Sequence, residues 1–168
     1  MVRRQPIQLR GVTRSPQPIP EHELSQSATT PPVVHLRIIT EHIPWTIDVR
    51  GRTSLQNDPS SRVRVVDVLE AIHKSLRTGI TNEEWNRLQK TSRDQIKKAY
   101  SRRCLASRAF ALTGYEEKRG VRRVDYLEDK TMFLGLTMKP PVEQNDGYMR
   151  RGNAEESTWV MMLGSHSS

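Results

Sequence analysis

The chain has 168 residues, 35% hydrophobic and 27% charged, with 27 Lys and Arg against 19 Asp and Glu for a net charge of +8. That length suits one domain, and the polar balance is thin for a chain that is globular throughout, so a polar segment is expected outside the core. One cysteine, Cys104, excludes an internal disulfide, and no apolar run approaches the roughly 20 residues of a membrane span.

Residues 1–32 hold six of the ten prolines and a Ser/Thr/Gln-rich stretch over 25–30, a composition that cannot bury a continuous apolar face. They predict a disordered, basic N-terminal arm. Arg3, Arg4, Arg10 and Arg14 imitate a mitochondrial presequence, but Pro6, Pro16, Pro18 and Pro20 would break the amphipathic helix such a sequence needs. With no apolar stretch after those arginines and with a lone cysteine, the expected setting is intracellular, cytoplasmic or nuclear, ahead of mitochondrial import.

From residue 33 to 164 the pattern predicts a single α+β domain, followed by a disordered tail over 165–168. Strands are expected over 34–39 and 45–50, the second placing Trp45, Ile47 and Val49 on one face. Residues 51–61 read as a loop and 62–65 as a brief strand. Val65, Val68, Leu69, Ile72 and Leu76 then follow a helical register, with Gly79 as the stop. Capping boxes at Thr81 to Glu84 and Ser92 to Gln95 predict two further helices, one carrying Trp85 and Leu88, the other Ile96, Ala99 and Tyr100 and reaching Cys104.

The last third returns to strands. Residues 123–127 alternate, 132–138 are apolar on both faces and so predict a central strand, and 159–163 read the same way. Pro140, Pro141 and the Asn145, Asp146, Gly147 turn signal make the connection between the last two a long hairpin. The sum is an antiparallel sheet of four to five strands with the helix over 65–76 packed on it and two more helices in the middle.

The order Pro44-Trp45-x-Ile47-Asp48-Val49, then Asp67-Val68-Leu69-x-x-Ile72-His73-x-x-Leu76, then Arg123-Val124-Asp125-Tyr126-Leu127 and Phe133-x-Gly135-Leu136 resembles an uncharacterised domain of fungal, mainly basidiomycete, proteins, the 6699-type domain of unknown function. The resemblance covers residues 33–164 and leaves out the proline-rich arm. It implies a fold and a fungal origin and transfers no catalytic or binding residue.

Candidate chemistry is sparse. His22, His35, His42 and His166 are expected to face solvent, and His73 to lie at the edge of a buried helix face as a structural histidine. Cys104 stands near the end of a basic helix, where the dipole opposes a thiolate, and reads as a small, partly buried apolar residue. Asp125, Glu128 and Asp129, with Asp48, are the candidate oxygen ligands for a hard cation; their spacing lacks the EF-hand loop, and no metal or cofactor is expected. Nucleotide loops, zinc-protease and hydrolase motifs are absent from the sequence, which names no catalytic residue.

The remaining signal is basic: residues 86–123 hold twelve Lys and Arg against three acids, a local excess of +9. Lys97, Lys98, Arg102, Arg103, Lys118, Arg119, Arg122 and Arg123 are the candidate site, with Gly120 letting the backbone approach a phosphate. Against phosphate binding, the charges spread around the helix and most aromatics fall at core positions, leaving few to stack on bases. The expected function is therefore a non-catalytic interaction or structural module whose basic surface meets an acidic protein partner. A nucleic-acid-binding protein using residues 86–123 is the alternative, and an enzyme with an unrecognised site is third.

Overall fold

The computed structural model describes residues 18–52, 61–108, 115–139 and 157–165. In chain order these form α1 (Glu21–Leu24), β1 (His35–Thr40), β2 (Ile43–Arg50), α2 (Val65–Leu76), α3 (Asn82–Asn86), α4 (Lys90–Arg108), α5 (Tyr115–Lys118), a 3₁₀ helix (Arg123–Leu127), β3 (Met132–Met138) and β4 (Ser157–Gly164). The fold is α+β, as the periodicity predicts.

The four strands make one sheet in the order β2-β1-β4-β3. β1 and β2 form an antiparallel hairpin with Leu36 opposite Val49 and Ile38 opposite Ile47, and β3 and β4 are also antiparallel. β1 and β4 run parallel, with Ile38 opposite Trp159, so the sheet is mixed where a wholly antiparallel one is expected. The parallel pair joins two hairpins far apart in sequence, and neither carries a local signal for the other's direction.

The alternation of β2 buries Ile43, Ile47 and Val49 while Pro44, Thr46, Asp48 and Arg50 face outward. Leu36 and Ile38 from β1 are 0% exposed and stand at the centre of the core with Val63, Val68, Ile72 and Met161. Burying an aliphatic side chain so completely contributes about 1.5–3 kcal/mol. α2 follows its predicted register: Val68 and Ile72 are buried, and Ala71 and Leu76 pack against the same core. Its first turn is held by Asp67, whose carboxylate accepts from the Arg64 backbone N–H at 3.0 Å and from the Arg64 guanidinium. The helix ends at Leu76 without using Gly79, which bridges Arg122 instead.

Several local expectations change for physical reasons. Residues 62–65 form no strand; Val63 is fully buried, donates to the Val33 carbonyl at 2.8 Å and accepts from Ala28 at 2.9 Å. Those bonds tie down part of the segment read as an arm: among residues 18–32, Thr29 is buried and Ala28 packs on the core. Residues 1–17 lie outside the described residues, as do 140–156, which hold the expected hairpin connection. Residues 123–127 are a 3₁₀ helix because Asp125 turns back to accept from the Arg122 backbone N–H at 2.8 Å. β3 lies at the sheet edge, not its centre, with Leu134 56% and Met138 53% exposed. α4 starts at Lys90, so Ser92 falls inside it; the Thr81 box forms as predicted, with Glu84 N–H donating to Thr81 Oγ1 at 3.1 Å and Thr81 N–H donating to Glu84 at 2.7 Å.

Candidate functional site

The basic residues divide according to the stripe of α4 that carries them. Ile96, Ala99 and Cys104 are buried, and Arg103 continues that stripe at helical spacing toward the 3₁₀ helix and α5. Lys97, Lys98 and Arg102 are exposed. Together with Gln95, Ser101 and Glu128 they line an open depression of about 540 Å³, in which Glu128 is the single acid among the described residues.

Arg103 is held by carboxylates. Its Nε donates to Asp125 Oδ1 at 2.8 Å, its Nη2 to Asp125 Oδ2 at 2.9 Å and to the Gly120 carbonyl at 3.0 Å, and its Nη1 pairs with Glu116. The bidentate bond to Asp125 raises the guanidinium's pKa above its ordinary value despite the opposing effect of burial. Arg122 is 2% exposed and pairs with Glu116 at 2.9 Å. Burial pushes its pKa down while Glu116 holds it up, and an arginine remains charged under both influences. Asp125 is itself 2% exposed, so the two arginines and two acids form an internal network joining α4, α5 and the 3₁₀ helix.

This network removes Arg103 and Arg122 from the predicted phosphate-binding set, because each guanidinium already faces buried carboxylates. Gly120 also serves differently from the expectation. It adopts a φ of +66°, a conformation costly for other residues, and so aims its carbonyl at Arg103. Arg123 is half-buried: its guanidinium lies 4.5 Å from the Trp45 ring centroid and its backbone N–H donates to the Thr78 carbonyl at 3.0 Å. The other face of that cluster is an edge-on Tyr126 ring 4.8 Å from Trp45, whose indole N–H donates to Glu84 at 2.7 Å. Lys118 and Arg119 are exposed on α5 and the turn after it, with Arg119 4.6 Å over the Tyr115 ring.

Three of the four candidate cation ligands are engaged elsewhere, and Glu128 lines the α4 depression. Asp48 lies 3.2 Å from Arg37 Nε and 3.3 Å from His35 Nε2, Asp125 holds Arg103, and Asp129 accepts from Ser165 Oγ at 2.9 Å. Among the described residues no group of three His, Cys, Asp or Glu is placed to hold a metal. His35 is buried, against the expectation of a solvent-facing residue, whereas His73 is exposed. His22 is exposed as expected, and His166 lies outside the described residues. A second, larger cleft of about 1030 Å³ lies between β2 and α2. Arg52 reaches across it to Glu70 and lies 3.4 Å from Asp67.

Sequence reasoning missed Glu116 and Asp125 as the partners of the arginines, and Glu128 as a wall of the depression. Only the Arg122-x-x-Asp125 spacing carried a signal, that of a turn closed by a carboxylate on a backbone N–H three residues earlier. Among the described residues no helix is long and apolar enough to cross a membrane.

No curated protein and no solved structure matches the chain. A model of a family of unknown function, DUF6699, matches residues 2–150. That match takes in the proline-rich segment and stops before β4, where the resemblance in the sequence was confined to 33–164. Since it spans most of the 168 residues, this chain belongs to the DUF6699 family of unknown function.

Proposed function

We propose that the protein is a non-catalytic interaction module whose α4 face, carrying Lys97, Lys98 and Arg102, docks an acidic protein partner. The observation that carries the reading is the contrast on that helix: three cations point to solvent around one depression while Arg103 on the neighbouring stripe is internally paired. Ile96, Ala99 and Cys104 anchor the helix from behind, so the cations ride on a fixed frame and lose less freedom on binding than they would on a loop. Complementary charge of this kind chiefly accelerates encounter and selects among partners. The unbridged, buried Cys104 supports an intracellular setting, and the motif resemblance supports a fungal source.

Nucleic acid is the second reading, favoured by the exposed Lys118 and Arg119 beside Tyr115. It is weakened by the loss of Arg103 and Arg122 from the donor set and by the rings already occupied. Trp85 lies under Arg93 and Lys97 at 6.0 and 5.8 Å, and Trp45 under Arg123.

Anisotropy titrations of a labelled poly-glutamate peptide and of mixed-sequence single-stranded RNA across a salt series test both. The acidic reading expects the peptide to bind and the Lys97→Glu/Lys98→Glu/Arg102→Glu variant to lose at least about tenfold in affinity. Peptide affinity unchanged by that reversal sinks it. Tighter RNA binding, with a log-log salt slope of about −0.7 per phosphate contacted, installs the second reading instead.

A further inference from the structure

The two edges of the sheet are protected unequally. β2 carries Pro44, Asp48 and Arg50 on its exposed positions, the residue types that discourage another strand from pairing. β3, the opposite edge, reads Met-Phe-Leu-Gly-Leu-Thr-Met over 132–138 and contains neither a charge nor a proline; its guard is a register shift between Phe133 and Gly135, where Gly135 takes a φ of +134°. Among the described residues only β4 pairs with it. Leu134 and Met138 stand half-exposed along this strand, and Met162 is exposed on β4 beside it. Beyond that shift the run over 136–138 offers backbone donors and acceptors that no other described strand takes up, the template on which an extended peptide adds a strand.

The start of β3 adjoins the basic face of α4. Glu128, one residue past the 3₁₀ helix, lines the depression with Lys97, Lys98 and Arg102, and the turn continues through Lys130 to Met132. Glu128 sits among the three α4 side chains, and Ser165 Oγ holds the Asp129 carboxyl below its usual range with Lys130 and Arg102 adding to the effect. At the other end of β3 stands the exposed Lys139, whose backbone N–H is tied to the Thr158 carbonyl at 2.9 Å.

We infer that the outer edge of β3 and the Lys97, Lys98 and Arg102 face form one continuous docking surface for an extended peptide with an apolar, strand-forming run and a block of acidic residues at the end lying over the start of β3. Resting on the acidic-partner reading, this specifies the partner's conformation as well as its charge. The apolar run pairs its backbone with β3 and sets side chains against Leu134 and Met138. The acidic block enters the α4 depression. A second copy of the chain is the poorer occupant, because an antiparallel pair of β3 strands brings the Lys130 end of each copy to the Lys139 end of the other, between two chains of +8 each.

Three labelled peptides test the inference by anisotropy on the full chain: hexaglutamate alone, a six-residue alternation of valine and threonine alone, and the two joined. The joined peptide is expected to bind at least about tenfold more tightly than hexaglutamate, since linking two subsites makes the second event intramolecular. That gain disappears with Leu134→Glu/Met138→Glu, and equally when alternate backbone amides of the valine-threonine part are N-methylated, which removes strand donors and keeps the side chains. Circular dichroism and a thermal melt confirm that the double variant folds, as both side chains are exposed. A joined peptide no tighter than hexaglutamate overturns the strand inference and leaves the acidic reading standing; failure of both to bind overturns the two together. Concentration-dependent dimerisation in sedimentation equilibrium that Leu134→Glu abolishes assigns the edge to a second copy and overturns the inference as well.

Discussion

Arg103 and Arg102 are adjacent in the chain and have opposite fates. Arg103 donates into Asp125 and Glu116 in a nearly dry network, and Arg102 faces water at the rim of a depression. One helical step of about 100° separates them. The lesson is that a dense basic stretch has no single meaning: a guanidinium turned toward carboxylates on other elements organises the fold, and one turned away remains available to a partner. Arg122 and Lys118 repeat the contrast on the next basic stretch, the first buried against Glu116 and the second exposed.

The comparison is broken most directly at Asp125. Asp125→Ala leaves Arg103 without its bidentate acceptor and the Arg122 backbone N–H without a partner, both in a buried setting. Removing one member of a buried ion pair costs about 3–5 kcal/mol. Urea denaturation is expected to show a loss of that order, and a loss near zero would mean that water reaches the network and replaces the carboxylate.

A middle-sized effect belongs to the Thr81 cap, which fixes α3 and with it the Glu84 carboxylate beneath Trp45. Thr81→Ala is expected to cost about 1 kcal/mol, the usual value for a helix N-cap. The Glu84 carboxyl is held below its ordinary range first by the Thr81 backbone N–H and next by the Trp45 indole. Because its folded pKa is depressed, its stabilisation is present above the unfolded carboxylate value of about 4.3 and is lost as pH falls through the lower folded value. Glu84→Gln should therefore flatten the acid limb of the stability curve, and an unchanged limb would show that this carboxylate is not coupled to folding.

The smallest effect on stability sharpens the contrast from the other side. Lys98→Ala and Arg102→Ala are each expected to stay within about 0.5 kcal/mol of the parent, as exposed substitutions do. A thermal or urea midpoint displaced as far as that of Asp125→Ala would erase the distinction between the two sets of cations.

How much of this was legible follows from how local each determinant is. α2 and the Thr81 cap were readable because helical spacing and a reciprocal box lie within a dozen residues of chain. The strand β2 was readable from its alternation, and its pairing with β1 is what the structure adds. The position of β3 was not: an apolar strand on both faces imitates a central one, and only the sheet order exposes Leu134 and Met138. The 3₁₀ helix was hidden because Val124, Asp125, Tyr126 and Leu127 alternate as a strand would, while the Asp125 carboxylate turning back onto the Arg122 backbone N–H sets the geometry. The candidate site was half legible. Its exposed members were named with its buried ones, and separating them requires knowing where Glu116 and Asp125 come to rest.

The strand order has a consequence for how the molecule comes into being. β4 follows β3 in the chain and yet lies between β3 and β1, with a parallel seam on one side and an antiparallel seam on the other. During synthesis the β1 and β2 hairpin therefore leaves the ribosome with its inner edge unfilled, and β3 emerges with no neighbour at all. The sheet closes in a late, non-local step that waits for Met161 to take its place beside Leu36 and Ile38, and contacts of such long sequence separation form slowly. A nascent chain arrested before residue 157 holds one hairpin and an unpaired β3 that cannot meet, and quality-control machinery would encounter it as a hairpin with bare edges.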